Sequence, residues 1–162
     1  MDAIKAEIDR YLLAYHEAGH VVVGAALGAP PSFATIEQKG TMGGHTETRP
    51  ERGQLNVWDR PIDALAGYVA QIRYAPESIE SAKIGASTDF DRAEWCVRRW
   101  FAHTPDEESL DHARKDAREK TEALVDQHWA TIERVAEALV EKEQLKEREI
   151  DALLDAHLIL EL

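Results

Sequence analysis

The sequence predicts a mainly α-helical chain with a small β-sheet. Apolar residues recur at spacings of three and four through most of its 162 residues. Residues 33–37 and 45–49 read as strands of a sheet of two or three, and Gly and Pro punctuate the region between residue 28 and residue 61.

Ile4, Ile8, Tyr11, Leu12 and Tyr15 begin the helical pattern. The run Val21-Val-Val-Gly-Ala-Ala-Leu27 extends it over more than one face, so a helix is expected from about residue 10 to 27, buried in its second half. Gly28 and Pro30-Pro31 should end it. Phe33-Ala-Thr-Ile-Glu37 reads as a short strand, Gly40 to Gly44 as turn, and His45-Thr-Glu-Thr-Arg49 as a second strand closed by Pro50. Residues 51–57 read as loop. Pro61 can open a helix whose one face carries Ile62, Leu65, Val69 and Ile72. Residues 75–86 read as irregular, with room for one helical turn. The next helix is expected near Asp89, with Thr88 as its N-cap and Asp91 completing a capping-box-like pair. Ala93, Cys96, Val97, Trp100 and Phe101 give it an apolar side.

Beyond Pro105 the chain is helical and charged. A stripe begins at Leu110, Ala113 and Ala117 and continues through Leu124, Val125, Trp129, Ile132, Val135, Ala136 and Leu139. Glu141 to Glu149 reads as a solvated helix turn and connector, and a last helix is expected from Arg148 to Ala156. With no repeats and no low-complexity linker, residues 1–162 form one expected domain, divided into a catalytic part, 1–104, and a helical part, 105–162.

Composition narrows the function. Hydrophobic residues make up 44% and charged residues 31%, as in globular chains. A net charge of −12 argues against nucleic acid and anionic membrane surfaces as partners. The single cysteine, Cys96, can form neither an intrachain disulfide nor a Cys-based zinc cage. The longest apolar stretch, Val21 to Pro30, is far short of the about 20 residues a membrane span needs. The polar N-terminal residues do not read as a secretory signal, and a cytoplasmic protein is expected.

One motif carries chemistry. Residues 16–20 are His-Glu-Ala-Gly-His. On a helix, positions i and i+4 share a face one turn apart, so His16 and His20 can present ring nitrogens to one metal ion. Glu17, beside the first ligand, is better placed to reach a water held on that metal. Zinc lowers the pKa of its water to about 7, and Glu17 can then accept a proton and later hand it to a leaving amine. A catalytic zinc also needs a third protein ligand and an open position. Asp89, Asp91, Glu94, His45, His103, His112, His128 and His157 are all available, and spacing alone does not choose among them. Asp89 is attractive because the start of a helix favours an ionised carboxylate.

Ala14-Tyr-His-Glu-Ala-Gly-His20 resembles the peptidase domain of the FtsH family, the membrane-anchored AAA proteases. Thr41-Met-Gly-Gly-His-Thr46 is similar to that family's glycine-containing edge strand, and Gly85-Ala-Ser-Thr-Asp89-Phe-Asp-Arg-Ala93 to its Gly-Ala-x-Asn-Asp-Leu-x-x-Ala motif. Ala136 to Leu145, followed by Glu149-Ile150, resembles its C-terminal helical segment. The resemblance implies a zincin-like, FtsH-type peptidase fold, zinc held by His16, His20 and Asp89, and Glu17 as catalytic base. It also implies that Gly43, Gly44, His45 and Thr46 hold an extended polypeptide substrate by adding it to a sheet edge.

Four departures are visible. No Gly-x-x-x-x-Gly-Lys-Ser/Thr phosphate loop occurs in these residues, so an unfolding motor would have to come from an AAA ATPase partner in trans, or substrates would have to be already unfolded. Gln71-Ile72 stands where the family has a Glu-Glu pair, and Thr88 where it has Asn. His45 replaces the usual aromatic; it could face substrate or metal, and reads more simply as a solvated strand residue. Trp95, Trp100 and Trp129 read as core, and Cys96 as a buried, inert thiol. The expected function is therefore zinc-dependent endoproteolysis of unfolded or extended chains. The alternative is a weakly active or inactive zinc-stabilised module that binds extended peptides or an AAA partner.

Overall fold

The computed structural model describes residues 2–39 and 43–158, with side chains to residue 154. They form seven α-helices and a three-stranded antiparallel sheet. The expected mainly α architecture with a small sheet is what the chain adopts.

Helix α1 runs Asp2–Ala26. It starts well before the expected residue 10, and Ile4 and Ile8 on its first turns are exposed at 66% and 54%. They extend the helical pattern without joining the core, so burial did not mark where the helix begins. From Ala14 to Gly24 every residue is buried. The helix closes on Gly28, whose φ of +93° only glycine adopts freely. Ala29 N–H reaches Gly24 O and Gly28 N–H reaches Ala25 O, the paired bonds of a Schellman ending.

Strand β1, Phe33–Thr35, lies at the centre of the sheet between β2, His45–Glu47, and β3, Gln144–Lys146. Phe33 pairs with Glu47 on one side and with Lys146 on the other. β3 corrects the reading of residues 141–149 as a solvated connector: Leu145 is fully buried in the main core, while its neighbours Gln144 and Lys146 are exposed. Glu143, with φ of +66°, turns the chain into this strand, and its carbonyl accepts from Ile36 N–H and Thr35 Oγ1. Gly40, Thr41 and Met42, part of the expected turn and edge-strand motif, lie outside the described residues.

Helix α2, Arg60–Tyr74, carries Pro61 in its first turn as expected. Residues 75–86, read as irregular, are ordered: a short 3-10 turn at Pro76–Ser78 leads into α3, Ile79–Gly85. Helix α4, Ser87–Arg98, begins before the expected Thr88 cap. Its N-cap is Ala86 and no side chain caps it, because Asp89, inside the first turn, is pointed toward α1. Helix α5, Glu107–Gln127, is capped by Asp106, whose carboxylate accepts from Ser109 N–H at 2.7 Å. The long C-terminal stripe breaks at His128 into α5 and α6, Trp129–Lys142, and α7 spans Glu147–Leu158.

The main core joins Val21, Val22 and Val23 of α1 to Ile132, Val135 and Leu139 of α6, Leu145 of β3 and Ile150 of α7. The C-terminal helices therefore support the helix that carries the motif. A smaller cluster forms around Val97, Leu110 and Ala117. Trp129 stacks on Tyr15 in the core periphery. Trp95 does not fit the core reading: it is 53% exposed, with the Arg99 guanidinium 3.6 Å over its ring. Cys96 is buried, and desolvation pushes its thiol up.

Candidate metal centre

Close approach of α1 and α2 builds the site. A Cβ on Gly19 of α1 would lie 2.5 Å from Ala66 O and 2.7 Å from Ala70 Cβ. Glycine here allows the two backbones into contact. On α2, a Cβ on Gly67 would lie 2.5 Å from His20 Nε2 and 2.6 Å from His16 Nε2. The two imidazoles therefore fill the space left by a missing side chain, held against the α2 backbone.

Asp89 completes the group from α4. His16 Nε2 lies 3.1 Å from Asp89 Oδ2, His20 Nε2 lies 3.3 Å from the same oxygen, and the two Nε2 atoms are 3.2 Å apart. Three donors on a nearly equilateral triangle suit a tetrahedral zinc. With metal–ligand distances of about 2.0–2.1 Å, ligand atoms of a tetrahedron stand about 3.3 Å apart, leaving its fourth corner open. Of the residues open as third ligand on sequence grounds, Asp89 is the one the fold brings to the histidines, and these three are the ones grouped closely enough to share an ion among the described residues.

The rings are oriented from behind. His20 Nδ1 is 3.0 Å from the carbonyl oxygen of Asp63, so Nδ1–H donates there and Nε2 is the nitrogen that faces His16 and Asp89. Electrostatics couple the same residues. Burial opposes charge on His20, but the hydrogen bond and charge of Asp89, with the charges of Glu17 and Asp63, raise it from 6.5 to about 9. Burial likewise opposes charge on Asp89, and the hydrogen bonds from His16 and His20 overcome it, holding the carboxyl well below its ordinary value. Desolvation raises the Asp63 carboxyl. Arg92 Nη2 stands 3.6 Å from Asp89 Oδ1 and 3.8 Å from Asp63 Oδ2, between the two acids.

Glu17 is buried beside the histidines and anchored to the sheet: Thr46 Oγ1 donates to its Oε2 at 2.7 Å. A Cβ on Gly44 would lie 2.4 Å from Thr35 O and 2.9 Å from Glu17 Cγ, so that glycine lets the β2 segment close down on the glutamate. Gly43, Gly44, His45 and Thr46 all line one groove with His16, Glu17, His20 and Asp89, a cavity of about 760 Å³. Among the described residues β2 pairs with β1 on one side only, so its other edge faces away from the sheet. His45 stands apart from the three donors, half-exposed, with its Nε2 3.0 Å from Glu47 Oε1. Gln71 is buried in the groove wall. Sequence reasoning missed Gly67, the Asp63 carbonyl and the Thr46–Glu17 bond; each depends on a contact between segments distant in the chain.

No family model matches the chain. Among curated proteins it is similar to ATP-dependent zinc metalloprotease FtsH 1 of Symbiobacterium thermophilum, 32% identical over 180 residues, covering 93% of this chain and 30% of the relative. FtsH 1 of Thermomicrobium roseum is 26% identical over 189 residues, covering 93% and 29%. ATP-dependent zinc metalloprotease FtsH of Mycoplasma pneumoniae is 37% identical over 97 residues, 56% of this chain and 14% of the relative. Among the described residues no helix is long and apolar enough to cross a membrane. Over 93% of its length the chain is similar to proteins named FtsH, and it spans about three-tenths of the length of those relatives.

Proposed function

We propose that this chain is a zinc-dependent endopeptidase unit acting on unfolded or extended polypeptides. The observation that carries the reading is the triangle of His16 Nε2, His20 Nε2 and Asp89 Oδ2 with Glu17 beside it at the floor of a groove. Similarity to proteins named zinc metalloproteases supports zinc as the ion.

His16, His20 and Asp89 would hold the metal, and the Asp63 carbonyl would keep His20 in the ligating tautomer. Zinc bound there would polarise the scissile carbonyl and acidify a water. Glu17 would act as the base: its carboxylate takes a proton as water oxygen adds to the carbonyl carbon, and returns a proton to the departing amine nitrogen as the C–N bond breaks. The Thr46 hydroxyl would fix the direction of that carboxylate. The free edge of β2, from Gly43 to Thr46, would hold the substrate backbone as an added strand, reading main chain more than side chain. Residues 105–162 would act as a buttress to α1.

Gln71 favours a second reading. It sits in the groove wall where the resemblance calls for a carboxylate, and a centre with fewer acids would turn over slowly. The chain would then be a zinc-stabilised module that binds extended peptides or an AAA ATPase partner. One assay separates the two: hydrolysis of casein by the zinc-loaded protein, with Glu17→Gln as control. Hydrolysis lost in the variant supports the peptidase. Zinc retained with no hydrolysis in the unsubstituted protein supports the binding module. Equal hydrolysis by both removes Glu17 from the mechanism.

A further inference from the structure

Asp89 offers its two carboxylate oxygens to different partners. Oδ2 faces the rings, 3.1 Å from His16 Nε2 and 3.3 Å from His20 Nε2. Oδ1 faces Arg92, whose Nη2 stands 3.6 Å away. The two residues are three apart on α4, so they share a face of that helix, and both line the groove.

Arg92 meets a second acid from α2. The same Nη2 is 3.8 Å from Asp63 Oδ2. The Asp63 carboxylate is itself seated against α1, its Oδ1 3.2 Å from where a Cβ of Gly24 would be. Its carbonyl oxygen meets His20 Nδ1 at 3.0 Å. Asp63 thus supports one histidine through its backbone and faces Asp89 through Arg92. Each acid side chain is 20% exposed, against 51% for Arg92. Although Arg92 reaches solvent, its charge bears on two groups that salt and water screen less than they screen a surface pair.

A carboxylate can ligate a metal through one oxygen or through both. If both oxygens of Asp89 turned to the ion, the second would take a place that a catalytic zinc leaves for water. A guanidinium beside Oδ1 opposes that turn, because the turn gives up its attraction.

We propose that Arg92 is a positioning residue that limits Asp89 to one ligating oxygen and so keeps a coordination position open on the metal. The proposal rests on the reading of His16, His20 and Asp89 as a metal centre. Arg92 takes no part in bond breaking.

Cobalt(II) in place of zinc tests it by absorbance, without turnover. The visible bands of cobalt are intense in a four-coordinate site and several-fold weaker once a further ligand joins. The unsubstituted protein should give the intense bands. Arg92→Met keeps the stem and loses the charge; it should weaken them several-fold, with helix content by circular dichroism unchanged because Arg92 is half-exposed. Arg92→Lys restores a cation and should recover most of the intensity. An arginine with a merely structural role would leave the cobalt bands alone. Intense bands in both Arg92→Met and the unsubstituted protein overturn the proposal and leave the metal centre standing. So do weak bands in the unsubstituted protein, or bands in Arg92→Lys no stronger than in Arg92→Met. Failure of the unsubstituted protein to take up cobalt removes the metal centre and the proposal together.

Discussion

Thr46 Oγ1 donates a 2.7 Å hydrogen bond to Glu17 Oε2, tying the sheet edge to the helix that bears the histidines. The residue proposed to move protons and the strand proposed to hold substrate are thus one mechanical unit. Thr46→Val removes the donor while keeping the shape. A hydrogen bond to a charged group contributes about 1.5–3 kcal/mol, so kcat should fall by about tenfold or more, with a smaller change in KM. Thr46→Ser should recover most of the loss. Steady-state kinetics on an unfolded substrate read both. Equal rates for Val and Thr would show that the bond does not orient Glu17.

Gly67→Ala places a Cβ where the Nε2 atoms of His16 and His20 now lie. The helix itself favours alanine over glycine by about 1 kcal/mol, so α2 should persist while the rings are pushed apart. Zinc affinity should drop by at least about 10–100-fold, the scale seen when the supports of metal ligands are disturbed. Chelator competition measures the affinity, and circular dichroism confirms the helix content. Unchanged affinity would mean the rings sit elsewhere when metal is bound.

Zinc binding should depend on pH with a definite sign. Without metal, His20 is raised to about 9 by the carboxylates around it despite its burial. Zinc takes only the neutral ring. Below about pH 9 the metal must therefore displace a proton, and apparent affinity should rise by up to about tenfold per pH unit before levelling off. The same shift stabilises the metal-free fold. Because the folded value lies above the ordinary 6.5, that contribution is full below 6.5 and is lost as pH rises through about 9. Competition titrations and denaturant melts across this range check the two slopes, which run in opposite directions.

Leu145→Ala should destabilise the protein by about 2–5 kcal/mol, the range for truncating a buried leucine. Leu145 is fully buried in the main core on a strand of three residues. Chemical denaturation gives the value. A change below about 0.5 kcal/mol would place residues 144–146 on the surface, as a solvated connector requires.

The contrast between Leu145 and His16 shows what was legible in the sequence. His16, Glu17 and His20 share one helical turn, so their spacing alone brings them together. Leu145 is a single apolar residue in a charged run, and three residues carry too little periodicity to announce a strand. Asp89 was one of several available acids and histidines until the packing of α4 on α2 brought it to the rings. Thr88 has the chemistry of a cap, yet the helix starts before it, and the carboxylate of Asp89 turns to the buried histidines instead of the free amides. Trp95 has helical spacing with Val97 and Cys96 nearby, but it projects from the opposite side of α4, where Arg99 covers it. The support around the site, Gly67 behind the rings and Asp63 behind His20, is tertiary throughout.

The most direct measurement is X-ray absorption at the zinc edge on stoichiometrically loaded protein, beside the Asp89→Ala variant. The account predicts one zinc per chain, only nitrogen and oxygen neighbours at about 2.0–2.1 Å, two of them imidazoles, and zinc lost or sharply weakened in Asp89→Ala. No zinc uptake, a single imidazole, or full stoichiometric binding in the variant would contradict it.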